Sequence, residues 1–279
     1  VKTTLLLALD TFEEARRRRI VLAALVMVAL FLVLYGAGLY FLRRELSADT
    51  AMPPSVSLLI RGEMLTLGLW TASFITSLVA IFLSAGVIRN DVEQGYAHVL
   101  LARPVSRNQM VIGRWIGLQA MITVLSATVT VSILLAANFI MGYSPSSPVL
   151  VVAVLTAQPL ILVSLAVLGS VFLPSIGNGI VVFVLFMIAM VAGTVEQIGY
   201  LARQHALTTA GKVIGFLVPT DIPWRQAAAL AQPDILSSIP VMGPFSALAV
   251  PTVWMDLYIL LYSLLCLVLA ATVFSYKDL

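Results

Sequence analysis

Apolar residues fall in six long blocks, at about 20–42, 65–88, 115–141, 149–173, 179–201 and 253–275, separated by short polar interruptions. Each block has roughly the 20 residues that a helix needs to cross ~30 Å of hydrocarbon. The pattern predicts an all-α polytopic membrane protein with six transmembrane helices. Ahead of the first block the period changes. Leu5, Ala8, Leu9, Phe12 and Ala15 share one helical face, while Asp10, Glu13, Glu14 and Arg17 take the other. That is the pattern of an amphipathic helix over residues 1–19 lying in the interface. The run Arg16–Arg19 ends it against the membrane.

Between the second and third blocks, residues 89–114 carry Arg89, Asp91, Glu93, Arg103, Arg107 and Arg114. The stretch reads as two short helices. Val92, Tyr96, Val99 and Leu100 recur at three- and four-residue spacing and give the first helix one apolar face. Pro104 disfavours helical geometry at Arg103 and ends it. Ser106 stands three residues before Gln109, a capping-box spacing, so a second helix starts there and runs into the third span. An amphipathic helix so placed either lies among headgroups or docks a soluble partner.

The other connections differ in character. Arg43 to Met64 is polar, with Pro53-Pro54, and reads as a short external loop; Gly142 to Pro148 is a tight turn. Pro174 to Asn178 is too short for a domain. Residues 202–252 are the least ordinary. Val213 to Val218 is apolar but too short to span, and Pro219 stops it. Thr220-Asp221, with Pro223 close behind, suits a helix start for Trp224 to Ala231. The stretch is either an external loop with two half-buried helices or a re-entrant hairpin.

Composition agrees with the pattern: 61% of residues are apolar and 10% charged, against roughly a quarter charged in soluble domains. The formal charge of +3 matters less than its distribution. With the N-terminus inside, ten basic residues are cytoplasmic: Lys2, Arg16–Arg19, Arg89, Arg103, Arg107, Arg114 and Lys277. Six lie outside: Arg43, Arg44, Arg61, Arg203, Lys212 and Arg225. The bias favours a multi-pass protein with both termini cytoplasmic. Asp10, Glu13 and Glu14 precede the basic run, which is not a signal-peptide pattern. The single cysteine, Cys266, forms no intrachain disulfide and reads as a packing residue.

Candidate chemistry within the spans is sparse. Ser73, Thr76, Ser77, Ala80 and Ser84 line one side of the second span, and Thr123, Ser126 and Thr130 one side of the third. Small hydroxyl residues at helical spacing serve close packing, or they line a translocation path; Ser73, Ser77, Thr123, Ser126 and Thr130 are the candidates for a path. Gly113-x-x-x-Gly117 reads as a packing notch. Glu196 is the one acid inside an apolar span, near its outer end, where it reaches water or faces a path. Pro159 is expected to kink the fourth span. His98 and His205 are isolated, the ten Met residues are scattered, and no metal site is indicated. There is no GxxxxGK[S/T] loop, so the chain does not bind ATP in the P-loop manner. No catalytic constellation is recognisable, and nucleic acid is not an expected partner.

The block Glu93-x-Gly95, Leu100-Leu101-Ala102-Arg103-Pro104-Val105-Ser106-Arg107 and Gly113-Arg114-x-x-Gly117 resembles the cytoplasmic coupling segment of ATP-binding-cassette (ABC) permeases of the second type. Tyr96 stands where that family often has Thr. Leu217-Val218-Pro219-Thr220-Asp221-Ile222-Pro223-Trp224-Arg225 looks like a segment found after the fifth span in the NosY-like group, which is linked to multicopper-enzyme maturation. With the six-span layout, the resemblance covers nearly the whole chain. It implies a permease subunit of an exporter in the plasma (inner) membrane, with residues 1–19 as the "elbow" helix. A separate ABC ATPase subunit, holding ATP and Mg, would dock on Val92, Glu93, Gly95, Tyr96, Val99, Leu100 and Arg103. A second permease copy or a homologue would complete the assembly among membrane lipid. Two rival classes, an ion-gradient-driven secondary transporter and a membrane-embedded enzyme, require several convergent buried titratable groups; Glu196 alone does not supply them.

Overall fold

Six helices long and apolar enough to cross a membrane stand side by side in the computed structural model, which describes residues 2–48, 52–93, 95, 106–233 and 254–276. Among the described residues there are no strands. In chain order the helices are α1 (Lys2–Arg17), α2 (Arg19–Ala48), α3 (Pro54–Ser84), α4 (Val87–Glu93), α5 (Arg107–Ala136), α6 (Pro148–Phe172), α7 (Ser175–Leu201), α8 (His205–Leu217), α9 (Asp221–Ala231) and α10 (Trp254–Tyr276). The spans are α2, α3 with α4, α5, α6, α7 and α10. Helices α3, α5 and α6 pack against one another, α10 closes against α5 and α6, and α7 lies on α6 and α3. Helix α2 touches mainly α3 and turns most of its apolar side chains outward.

Hydropathy marked the apolar part of each helix, not its ends. Helix α2 continues through Arg43, Arg44 and Glu45 to Ala48, and α3 already begins at Pro54. The external loop expected over Arg43 to Met64 is therefore mostly helix. A helix satisfies its own backbone whatever its side chains, and Pro54 at the first helical position needs no N–H partner there. The tight turn appears where expected: a π-helical turn, Ala137–Met141, ends at Gly142 in the left-handed region (φ 65°). Helix α6 continues through Pro159.

Contacts sort to two ends of the bundle. At the end bearing the arginine run, Asn178 Nδ2 donates to the carbonyls of Ala85 and Ala166, each at 2.7 Å. Arg107 Nη1 donates to the carbonyl of Ser275, 3.2 Å, in the last turn of α10, a favourable place for a cation. At the far end, the Tyr143 hydroxyl donates to the carbonyl of Ala231 at 2.8 Å.

A helical hairpin enters the bundle from that far end. The chain reverses at Arg203 (φ 53°), and α8 runs back along α7. Gly199 faces Thr208, Gly211 faces Ala192 and Glu196, and Gly193 faces Asp221, each so closely that a Cβ would collide. Small residues at successive levels let the two backbones approach. Helix α9 then returns through the interior against α6 and α3, buried along most of its length. Helix α9 thus lies inside the bundle. It begins at Asp221 rather than Trp224, and the Thr220 side chain makes no capping hydrogen bond.

The glycine notch on α5 has a specific occupant, helix α1. A Cβ on Gly113 would lie 2.7 Å from the Leu7 Cβ, and one on Gly117 2.6 Å from the Thr11 Cβ. The buried face of α1 is Leu7, Ala8, Thr11 and Ala15, with Phe12 half-buried. Leu5 and Leu9, expected on that face, are exposed with Leu6. The close approach to α5 selects small residues such as Ala8, Thr11 and Ala15 and turns the larger Leu5, Leu6 and Leu9 outward. Replacing Gly117 by Leu should dislodge α1 at a cost of about 1–3 kcal/mol. The check is the thermal midpoint of the purified protein together with protease accessibility of the first 17 residues; both should change, whereas Leu at exposed Thr128 should change neither.

Candidate functional site

The residues that flank the 94–105 stretch are fixed by a buried ionic junction. Arg114 sits immediately before α5's apolar run, between Gly113 and Gly117, with its side chain only 5% exposed. Its Nε and Nη2 donate to Asp91 Oδ2 and Oδ1, both at 2.8 Å, in the two-pronged geometry that a planar guanidinium allows. Its Nη1 donates to Glu14 Oε2 at 2.5 Å and to Thr11 Oγ1 at 3.3 Å. Arg18 Nη2 holds the other Glu14 oxygen at 2.7 Å. One guanidinium thus ties together α1, α4 and α5. Burial pushes the Glu14 carboxyl up, but Arg18 and Arg114 outweigh it and hold it below its ordinary value.

This junction stands at the root of the candidate docking stretch. On one side α4 ends at Glu93, and Gly95 follows in a left-handed turn (φ 72°) whose N–H bonds the Val92 carbonyl at 3.1 Å. On the other side Ser106 and Gln109 form the expected capping box: the Gln109 N–H donates to Ser106 Oγ and the Ser106 N–H to Gln109 Oε1. Tyr96, Val99, Leu100 and Arg103 lie outside the described residues. Val92 is half-buried against the core, and Glu93 is exposed and paired with Arg89 at 2.6 Å. The single face expected to run from Val92 through Leu100 is corrected here. A residue at φ 72° interrupts α-helical geometry, so Val92 belongs to α4, anchored in the bundle.

The path candidates are dispersed. Ser73, Ser77, Ser126 and Thr130 are buried, and Thr123 is half-buried, accepting from Gln119 Nε2 at 3.2 Å. A narrow cleft between α3, α6, α7 and α9 is lined by Trp70, Ser73, Phe74, Gln158, Phe186, Met190, Thr220, Asp221 and Trp224. Of the path candidates only Ser73 reaches it, donating to Gln158 Oε1. Its enclosed part is about 10 Å³, the room of one water. Glu196 does not reach for water, the alternative held open from its position near the end of α7. It is 5% exposed and accepts from Arg225 Nη1 of α9 at 2.7 Å. Arg225 Nε is also 2.8 Å from Asp221 Oδ2, outside hydrogen-bond geometry. Burial raises the Asp221 carboxyl to about 6, with Arg225 opposing and Glu196 adding to the rise. Among the described residues no group of three or more His, Cys, Asp and Glu side chains converges to hold a metal.

Neither ionic cluster was assigned from the linear sequence. Asp91 and Arg114 are 23 positions apart, and Glu14 and Arg114 are 100 apart. The one signal was a charge near an apolar block's edge flanked by glycines: Arg114 between Gly113 and Gly117, and Glu196 between Gly193 and Gly199.

Comparison with known proteins adds one finding. The profile of a family described as "ABC-2 family transporter protein" matches residues 5–279. A search of curated proteins finds no match to the chain.

Removing one partner of a buried ion pair strands the other. Arg114→Gln should destabilise the subunit by roughly 3–5 kcal/mol, and Arg114→Lys should fail to restore it because an ammonium does not form the fork. Asp91→Asn combined with Arg114→Gln should recover part of the loss, since no charge is then stranded. The check is the fraction remaining monodisperse after a heat step. A Glu14 carboxyl held low stabilises the fold above its unfolded pKa, a contribution lost as pH falls through the folded one. Acid should therefore weaken the hold of α1 on α5.

Proposed function

The chain belongs to the ABC-2 family of transporter proteins, and from that membership we propose that residues 89–114 are the segment through which a separate ATPase subunit drives it. The chain is a multi-pass membrane permease subunit of an ABC transporter. In this reading the ATPase holds ATP and Mg and grips the chain at Tyr96, Val99, Leu100 and Arg103, with Glu93 and Gly95 at the rim. The observation that carries the reading is the Arg114–Asp91–Glu14 junction, which joins both flanks of that segment and the N-terminal helix. A push on the segment is then delivered to α3, α5 and α1 together rather than absorbed by a slack loop. Gly95 supplies the sharp exit from α4 that an ordinary residue adopts only at a cost of about 1–3 kcal/mol.

Two copies of the chain, or one and a homologue, would surround a path and alternate between inward- and outward-facing forms. Cargo would be exported. The basic end is the cytoplasmic end, the membrane is the plasma (inner) membrane, and the α8–α9 hairpin is re-entrant from outside. The 217–225 segment on that hairpin supports placement in the NosY-like group.

Two experiments test this. Trimming Tyr96 and Leu100 to Ala removes apolar contact worth roughly 1.5–3 kcal/mol for each side chain fully buried in the complex, enough to weaken association tenfold or more. The double variant should insert normally and lose its ATPase on co-purification; undiminished recovery of the ATPase would remove the docking assignment. For orientation, Ser47, Ser146 and Asn108 are exposed positions. Single cysteines there, with Cys266→Ala, should react with an impermeant thiol reagent in sealed cells at 47 and 146 but not at 108. Labelling at 108 would reverse the topology.

A further inference from the structure

The cleft at the tip of the re-entrant hairpin combines features that no packing role requires. Its floor is polar and buried. Thr220 is fully buried, and its hydroxyl has no hydrogen-bond partner. Beside it stand Asp221 and the Ser73–Gln158 pair. The walls are aromatic: Trp70 stacks on Phe74 at 5.8 Å, Phe74 leans on Phe186 at 6.0 Å, and Trp224 closes the α9 side. Trp70, Phe74 and Met190 are half-buried, so the mouth lies between α3 and α7. No Lys or Arg lines the cleft. Arg225 sits behind it, shared between Glu196 and Asp221, so two carboxyls face one guanidinium. A buried hydroxyl without a partner calls for a ligand group or a water. The excess of acid and the ring faces select which group.

We propose that this cleft binds the ammonium head of an organic cation with an apolar body, which is the cargo class of the permease. The head donates to the unsatisfied lone pairs of Thr220 and to the carboxylate of Asp221, while the body packs on the rings of Trp70 and Phe74, whose negative faces also attract the adjacent cation. An anion is disfavoured by both carboxyls. A neutral alcohol gains the rings but leaves the carboxylate uncompensated. The inference rests on the transport reading, yet the site lies part-way along α3, α6 and α7, clear of the ATPase segment, so the two fail separately.

The test uses the full permease in lipid nanodiscs without ATPase, probed with phenethylammonium chloride and followed by tryptophan fluorescence, with empty nanodiscs and matched NaCl as blanks. Its neutral counterpart is 2-phenylethanol. A saturable response to the cation and none to the alcohol are expected. Asp221→Asn should weaken the response at least tenfold. Thr220→Val, which keeps volume and leaves the Glu196–Arg225–Asp221 set intact, should weaken it severalfold, which separates loss of the site from loss of the fold. The groups around Asp221 are Arg225 on its own helix, Glu196 on α7, and uncharged Ser73 and Gln158 on α3 and α6. Binding should therefore tighten from pH 5 to pH 7 as Asp221 ionises. Equal midpoints for alcohol and cation, an Asp221→Asn response within threefold of the parent, or a response unchanged by Thr220→Val would each overturn the proposal. Loss of ATPase docking in the Tyr96→Ala/Leu100→Ala protein should leave this binding untouched.

Discussion

A guanidinium withdrawn from water inside an apolar bundle costs several kcal/mol unless its donors are all engaged. Arg114 meets that constraint by taking both oxygens of Asp91, one oxygen of Glu14 and the hydroxyl of Thr11. The rest of the basic end follows from it. Helix α1 must lie against α5 for Glu14 to reach, and it reaches only because Gly113 and Gly117 leave the space that side chains would fill. Helix α4 must keep Asp91 turned inward, which leaves the chain needing a sharp exit, supplied at Gly95. Such a junction resists partial distortion. If one bond opens, a charge is stranded, so the elements it joins move as a unit.

The far end solves the same problem in another way. Glu196, Arg225 and Asp221 bring two carboxyls to one guanidinium, and the Asp221 carboxyl is lifted to about 6 by burial. Here the charge balance is incomplete. The basic end is electrostatically closed and mechanically tight, whereas the far end is open to an added cation. On the proposed reading, force would enter at the tight end and a ligand would be handled at the unsatisfied cluster.

Local signals in the sequence were legible, and long-range ones were not. Each of the six spans carries its own hydropathy, and the Ser106–Gln109 cap lies within one helical turn. The glycine notch at 113 and 117 was visible as a notch, but not as the seat of α1. Nothing in the spacing links Asp91 to Arg114 across 23 residues or Glu196 to Arg225 across 29. The placement of helix α9 stayed open for a related reason. Its sequence, DIPWRQAAALA, carries charge and looks like a surface helix. Its charges are engaged by Glu196 of α7 and by each other, and its alanines let it pass through the interior. Hydropathy also stopped short at Arg43 and Arg61, because helices continue into water for as long as their backbone bonds continue.

The central claim is that the Asp91–Arg114 pair transmits nucleotide-driven movement from the ATPase segment to the cleft inside the bundle. The most direct measurement is the thiol-labelling rate at a cysteine placed by Ser73→Cys, with Cys266→Ala, in the permease–ATPase complex before and after ATP is added. In the parental background the rate should change with ATP, because the cleft opens or closes around position 73. With Asp91→Asn, the complex that remains folded, at reduced yield, should hydrolyse ATP while the change in labelling is lost. An ATP-dependent change that persists at full size in the Asp91→Asn complex would contradict the account.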